Sequence, residues 1–200
     1  MTERGVFVAF EGGEACGKST QAARLAARRG AVLTREPGGT ALGERVRTIF
    51  LDPAAGEVNP RAEALLVAAA RAQHVAEVIE PALASGRDVV TDRFTGSSLA
   101  YQGFGRGLDV QDVRELSAFA TGGLEPDVYV LLEVPAVVAA ARLGSDRDRL
   151  EAAGDEFHER VRAGYTAIAQ HDGWVVVDGT GSVDEVERAV WGALSARLGW

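Results

Sequence analysis

Lysine is almost absent from this 200-residue chain: of its 21 basic side chains, 20 are arginine and only Lys18 is lysine. Cysteine (Cys16), methionine (Met1) and asparagine (Asn59) also occur once each. Each scarcity excludes something. A single cysteine rules out an internal disulfide framework and suits a reducing compartment, so a cytoplasmic protein is expected. One lysine and one asparagine, 41 positions apart, cannot supply the N-K-x-D motif of a GTPase switch. No uncharged apolar run approaches the roughly 20 residues that span a bilayer, so no membrane role is expected. The opening M-T-E-R-G-V-F-V-A-F carries an acid at Glu3 and no long apolar stretch, so no signal peptide is expected. A net charge of −8 argues against a protein built to grip a nucleic-acid backbone, though not against a local arginine pocket for a small anion.

What is present fits one globular domain over residues 1–200: 46% of the chain is hydrophobic and 25% charged, enough to bury a substantial core. Apolar runs alternate with helical patterns, which predicts an α/β fold with a parallel sheet covered on both faces. The strands are expected at Gly5–Phe10, Ala31–Thr34, Asp88–Thr91, Val128–Leu132 and Trp174–Val177. Helices are expected at Lys18–Arg29, Leu42–Leu51, Pro60–Ala84, Val110–Thr121, Pro135–Leu143, Glu156–Ala169 and Val183–Leu198. Asn59-Pro60 supplies a cap and a first-turn proline, and Ser182 with Glu185 forms a capping box. Pro81 should kink or split the long third helix. Phe157, Val161, Tyr165 and Ile168 form a stripe at helical spacing that reads as core packing.

The lone lysine stands in G-G-E-A-C-G-K-S, Gly12 to Ser19, which fits the phosphate-loop pattern G-x-x-x-x-G-K-[ST] between a strand and a helix. The context makes this a nucleotide-binding loop. Gly12 and Gly17 permit backbone conformations and close approach that a side chain would obstruct. Successive N–H groups at a helix start form a nest for phosphates, along Gly12, Gly13, Glu14, Ala15, Cys16, Gly17, Lys18, Ser19 and Thr20. Lys18 is expected to reach the β- and γ-phosphates of ATP, with the Ser19 hydroxyl on Mg²⁺. Arginine's wide fork does not replace a slim ammonium there, which explains the single departure from arginine.

Two further segments lie where strands of such a sheet end: Arg35-Glu36-Pro37-Gly38-Gly39-Thr40 and Asp92-Arg93-Phe94, the latter followed by Ser97-Ser98-Leu99-Ala100-Tyr101-Gln102. With the phosphate loop, T-R-E-P-G-G-T, A-A-R-A-Q-H, D-R-F and S-S-L-A-Y-Q-G-F-G-R-G resemble the thymidylate kinase family in order and spacing, from Val6 to about Tyr165. The resemblance implies a P-loop NTPase-type three-layer α/β/α fold around a five-stranded parallel sheet. It also implies phosphorylation of dTMP to dTDP by ATP with Mg²⁺, and a homodimer. By the same resemblance Arg93 touches both the acceptor phosphate and the transferred phosphoryl, and Asp92 acts on Mg²⁺ or orients Arg93. Arg35 holds the dTMP phosphate, with Glu36 and Pro37 shaping its loop. Glu14 lies near the sugar 3′-hydroxyl and the metal, Arg71 at the thymine edge, and Tyr101 against the sugar's 2′ position. Ser98 and Gln102 are candidate readers of the base, with Ser97 beside them among the substrate-binding residues.

Three departures from the family pattern carry consequences. Ala15 stands where glycine is usual, and a positive φ there would cost on the order of 1 kcal/mol. Val67 replaces the phenylalanine that stacks on thymine, a loss of about 1 kcal/mol that Phe94 or Phe104 could offset. Cys16 lies beside the phosphates near a helix start, a setting that lowers a thiol pKa, although a small side chain in a tight loop is the plainer reading.

No arginine stands inside the phosphate loop, so a lid is expected to bring one. Segment 142–151, R-L-G-S-D-R-D-R-L-E, resembles the family lid, with Arg147 and Arg149 as the catalytic cations and Arg142 as a further candidate. A solvated charge run is the alternative. The nucleophile, an ionised phosphate oxygen, needs no general base, so His74, His158 and His171 are expected to be surface or packing residues. Two other functions stay open on the residues: a kinase of a different nucleoside monophosphate, and a regulatory module that binds ATP without a small acceptor.

Overall fold

The computed structural model describes residues 3–144 and 148–200. Five strands, β1 (Phe7–Glu11), β2 (Val32–Arg35), β3 (Val89–Asp92), β4 (Val128–Glu133) and β5 (Val175–Asp178), form one sheet in the order β2-β3-β1-β4-β5. Every pairing is parallel, with Phe10 opposite Asp92 and Val130, Arg35 opposite Asp92, and Glu133 opposite Asp178. Each strand sits slightly further along the chain than its apolar run predicts and ends on a charged residue: Glu11, Arg35, Asp92, Glu133, Asp178. The apolar run marks what is buried, while the last ladder bonds reach a residue whose side chain belongs to the edge. Because β1 lies between β3 and β4, the chain departs in opposite directions on its two sides, and a crevice opens at that carboxyl edge.

Side chains alternate across β1. Val8 and Phe10 pack against Ala22, Leu25 and Ala26 of α1 (Lys18–Arg29) and Val186, Val190 and Leu194 of α9 (Val183–Leu198). Phe7 and Ala9 face Val75, Ile79 and Leu83 on the opposite side. That second layer contains α2 (Ala41–Leu51), α3 (Pro60–His74), α4 (Glu80–Ala84), α5 (Thr95–Ser98), α6 (Val110–Thr121) and α8 (Asp155–Asp172), while α7 (Ala136–Arg142) follows β4 with no buried residue. The stripe of Phe157, Val161, Tyr165 and Ile168 on α8 is buried in it, as its spacing predicts.

Helix ends follow the local chemistry. Asn59 accepts from the Arg61 N–H at 3.0 Å, and Ser182 and Glu185 close their capping box around α9. The expected break at Pro81 takes a specific form: α3 and α4 are one continuous rod joined by a π turn over Val75–Ile79, where the Glu80 N–H bonds to the Val75 carbonyl. Proline lacks an N–H and its ring crowds the carbonyl four residues back, so the widened turn immediately before it relieves the clash without ending the helix.

No helix is expected from the sequence after β3, yet the segment is helical: α5 continues into a π turn over Leu99–Gly105. Its glycines look like loop signals but serve close packing. A Cβ at Gly96 would lie 2.3 Å from the Trp174 ring and 2.8 Å from Glu11 Oε1, and one at Gly105 would lie 2.7 Å from Phe157.

Candidate active site

The phosphate loop leaves β1 and turns back into α1. Gly12 has φ 142°, and a Cβ there would sit 2.5 Å from the Leu132 carbonyl oxygen; Gly17, with φ 96°, starts the helix. Ala15 takes φ 54°, the left-handed conformation its position was expected to demand. The Lys18 ammonium is buried along the loop, donating to the Gly13 carbonyl at 2.6 Å and lying 3.6 Å from Cys16 Sγ. Cys16 is itself buried against the sheet, the small-side-chain role.

At the end of β3 the Ser19 hydroxyl donates to Asp92 Oδ2, while Asp92 Oδ1 is buried and has no partner among the described residues. A hydroxyl touching a carboxylate that has an unsatisfied oxygen is a suitable donor set for Mg²⁺. That ion takes few protein oxygens and completes its octahedron with water and phosphate. Among the described residues no group of three or more His, Cys, Asp or Glu could hold a metal by itself.

Arg93 follows directly and has φ 74°, a conformation that costs a side-chain-bearing residue about 1–2 kcal/mol. The surroundings hold it there. Its N–H donates to the Phe10 carbonyl at 2.8 Å. Nη1 donates to Gly12 O (3.1 Å), Ser97 Oγ (3.1 Å) and Tyr165 OH (3.0 Å), and Nη2 to Glu14 Oε1 (2.7 Å) and Tyr101 OH (3.2 Å). Burial works against its charge, but Glu14 together with Tyr101, Tyr165 and Asp92 outweighs it and holds the guanidinium more firmly protonated than an ordinary arginine. Conversely, burial pushes Glu14 up, while Arg93, Lys18 and the Tyr101 hydroxyl together bring its pKa down to about 2. Both members are ions at neutral pH.

Beneath Arg93 lies a carboxylate the sequence reading passed over. Glu11 is fully buried, accepting from the N–H groups of Phe94 and Ser97 at 3.0 Å each and from Ser97 Oγ at 2.6 Å. Burial raises its pKa to about 6, against the lowering effect of these donors and of Arg93. An acid ending a strand of otherwise apolar residues was the available signal. Tyr165, placed correctly in the core stripe, also points its hydroxyl at Arg93 and Ser97.

Across the cleft Arg35 ends β2, half-exposed and paired with Glu44 at 3.1 Å. Glu36 is buried and bridges Arg71 Nε (2.7 Å) and His74 Nδ1 (2.9 Å), with His74 Nε2 2.6 Å from Thr34 Oγ1. His74 is therefore a hydrogen-bonded core residue, His158 is half-buried and His171 exposed. Arg71 donates also to Ser98 Oγ (3.0 Å), the Phe94 carbonyl (3.1 Å) and Ser117 Oγ (3.4 Å), so little of it remains for a ligand. Arg47, from α2, was not anticipated; it donates to the Pro37 carbonyl at 3.0 Å, and burial together with Arg35 lowers its pKa.

These groups share walls. A cleft of about 550 Å³ is lined by Lys18, Ser19, Arg35, Arg47, Asp92 and Arg93. A narrower cavity of about 80 Å³ shares Glu14, Glu36, Arg47 and Arg93 with it and adds Pro37, Val67, Arg71, Ser97, Ser98, Tyr101 and Gln102. Phe50 and Phe94 also line this cavity beside Val67, whereas Phe104 packs on Gly164. A third opening, of about 1000 Å³, runs from Gly13 and Glu14 past Glu133 to Asp178 and Thr180, between α7 and α8.

The lid expectation fares differently residue by residue. Arg147 lies outside the described residues. Arg149 was expected over the donor phosphates, but the structure places it against α3: it pairs with buried Glu63 at 2.8 Å and donates to the Phe50 carbonyl at 2.9 Å. A buried carboxylate attracts the nearest arginine more strongly than solvent does, and no periodicity reveals that pairing. Arg142 donates to the carbonyls of Gly179 and Thr180.

The family model described as thymidylate kinase matches residues 10–190. A thymidylate kinase of Desulforudis audaxviator is 48% identical, covering 97% of this chain and 92% of that protein. One of Leifsonia xyli subsp. xyli is 50% identical over 97% of this chain and 96% of that protein. The crystal structure of thymidylate kinase from Ehrlichia chaffeensis superposes with a TM-score of 0.78 at 30% identity, covering 96% of this chain and 99% of that one. Near-complete matches in both sequence and fold thus accompany an arginine-lined cleft beside the phosphate-loop motif, and the chain belongs to the thymidylate kinase family.

Proposed function

We propose that this chain phosphorylates dTMP to dTDP with ATP, and that Lys18, Arg35 and Arg93 carry the transfer. One observation supports the residue assignment above the others: all three line a single cleft, between a phosphate loop on one side and an arginine-bearing turn on the other. Phosphoryl transfer asks little covalent chemistry of a protein; it needs two phosphates held in line and the spreading charge stabilised. The loop N–H groups and Lys18 hold the donor β- and γ-phosphates. Arg35, with Arg47 beside it, holds the acceptor phosphate, whose ionised oxygen attacks without a general base. Arg93 stands between them, its fork directed by Glu14, Tyr101 and Tyr165 so that charge developing on the equatorial oxygens meets an oriented cation.

Ser19 and Asp92 would hold Mg²⁺, which would neutralise charge on the donor phosphates. Val67, Arg71, Ser97, Ser98, Tyr101 and Gln102 form the acceptor nucleoside's surroundings, and the opening beside Asp178 and Thr180 suits the donor nucleoside. Segment 142–151 is the lid of a single catalytic domain, with Arg147 as its cation. We place the enzyme in the cytoplasm as a homodimer. Exposed Leu65 and Phe119, on the neighbouring helices α3 and α6, provide apolar surface for that contact.

The decisive assay is ADP release on adding dTMP, dUMP, UMP or AMP in turn. Release dependent on dTMP, with AMP and UMP poor, supports the reading. ATP binding with no acceptor-dependent release would favour a regulatory module instead.

A further inference from the structure

Glu63 lies on α3, is fully buried, and touches no part of the phosphate machinery. Three side chains converge on it. Arg149 Nη1 lies 2.8 Å from Oε2; Arg106 donates from Nη2 to Oε2 and from Nε to Oε1, at 3.2 Å each; Gln102 donates from Nε2 to Oε1 at 2.9 Å. Two arginines already balance one carboxylate, so the bond to a neutral amide is not needed for charge. It has a different consequence.

A side-chain amide can present either its NH₂ or its carbonyl oxygen to a ligand, and the two faces select opposite partners. A carboxylate only accepts, so Glu63 requires the Gln102 NH₂ on its own side. The amide oxygen is then the only acceptor of the amide, and with the second N–H it is what remains for the cavity that Gln102 lines together with Arg71 and Ser98. Among the described residues no group donates to it. A buried acceptor facing a base must meet an N–H or remain unpaired. The ring nitrogen N3 of thymine or uracil carries a hydrogen; N3 of cytosine does not.

We propose that Glu63 is a specificity-determining positioning residue, which locks the Gln102 amide with its oxygen toward the acceptor base and so selects pyrimidines bearing an N3–H. The assignment rests on the acceptor-pocket reading above and adds to it a residue that never touches substrate. The same carboxylate anchors Arg149, so one buried group fixes both a base-reading side chain and the segment Asp148–Leu150, of which Asp148 and Leu150 line the cavity.

The test compares dissociation constants and kcat/KM for dTMP, dCMP and N3-methyl-dTMP in the wild type and in Glu63→Gln. In the wild type dTMP should be preferred over both others by about 10³-fold or more, because a site built around a hydrogen bond rejects a ligand that leaves it unmade. In Glu63→Gln, whose amide can pair with Gln102 in either orientation, the dTMP-to-dCMP ratio should fall about 10–100-fold. General damage would lower both substrates and leave the ratio alone. In a Gln102→Ala background the Glu63→Gln change should no longer move the ratio. An unchanged ratio in folded Glu63→Gln, or a ratio that still shifts without Gln102, overturns the proposal. Should the variant not fold, the wild type decides by itself: N3-methyl-dTMP handled as well as dTMP refutes the amide orientation. A wild type active on dTMP with any of these refuting results sinks the Glu63 role only. One that binds no pyrimidine nucleotide sinks the pocket reading with it.

Discussion

Replacing Glu11 with glutamine should make the stability difference between variant and wild type depend on pH, in a direction the structure dictates. The carboxyl is buried and its pKa stands at about 6, against 4.5 in its ordinary state. Folded protein therefore binds more protons than unfolded protein between those values, and wild-type stability falls as pH rises through them. A displacement of about 1.5 pKa units corresponds to roughly 2 kcal/mol, lost mostly between pH 4.5 and 6.5 and constant above. Glutamine keeps an oxygen to accept the Phe94 and Ser97 N–H groups, which both bond to Oε1, but carries no charge to bury. Urea unfolding of both proteins at pH 4.5, 5.5, 6.5 and 7.5 measures the effect. Glu11→Gln should gain on the wild type by up to about 2 kcal/mol across that range. Titrations shared by the two proteins cancel in the difference, and Glu14, ionised above about pH 2, does not titrate within it. A difference independent of pH, or one that moves the other way, would refute the account of Glu11 as a carboxylate whose burial outweighs its donors.

Ala15→Gly should raise stability by roughly 0.5–1 kcal/mol, since φ 54° strains alanine more than ordering a glycine costs; thermal unfolding should shift up by about 2 °C. Arg149→Ala should cost about 2–3 kcal/mol in stability by leaving Glu63 with Arg106 as its one cation. Arg147→Ala, by contrast, should lower kcat more than it raises the KM for ATP and leave unfolding unchanged. If both substitutions leave kcat at the wild-type level, the lid assignment falls. Val67→Phe should lower the dTMP KM about fivefold through ring stacking, and an unchanged KM removes that argument.

Much of the site was legible because the chemistry of phosphate is local. The loop from Gly12 to Thr20 and the arginines at the ends of β2 and after β3 depend on main-chain conformation and strand ends, and both leave traces at fixed spacing. The buried polar network left none. Glu11 and Glu63 lie among apolar residues with nothing nearby in sequence to announce a partner: Ser97 is 86 positions from one, and Arg149, 86 positions from the other, was read as a lid cation. The helix over Thr95–Gly105 went unpredicted for a related reason. Glycine there answers to Trp174, Glu11 and Phe157, which only packing brings near.

The alternation of strands and helices and the phosphate-loop pattern follow from the sequence alone, since periodicity and turn chemistry act over a few residues. Which carboxylate holds which guanidinium was decided by the tertiary structure. A buried charge takes whatever partner the fold places within about 3 Å, and that distance is set by the packing of whole elements rather than by neighbours along the chain.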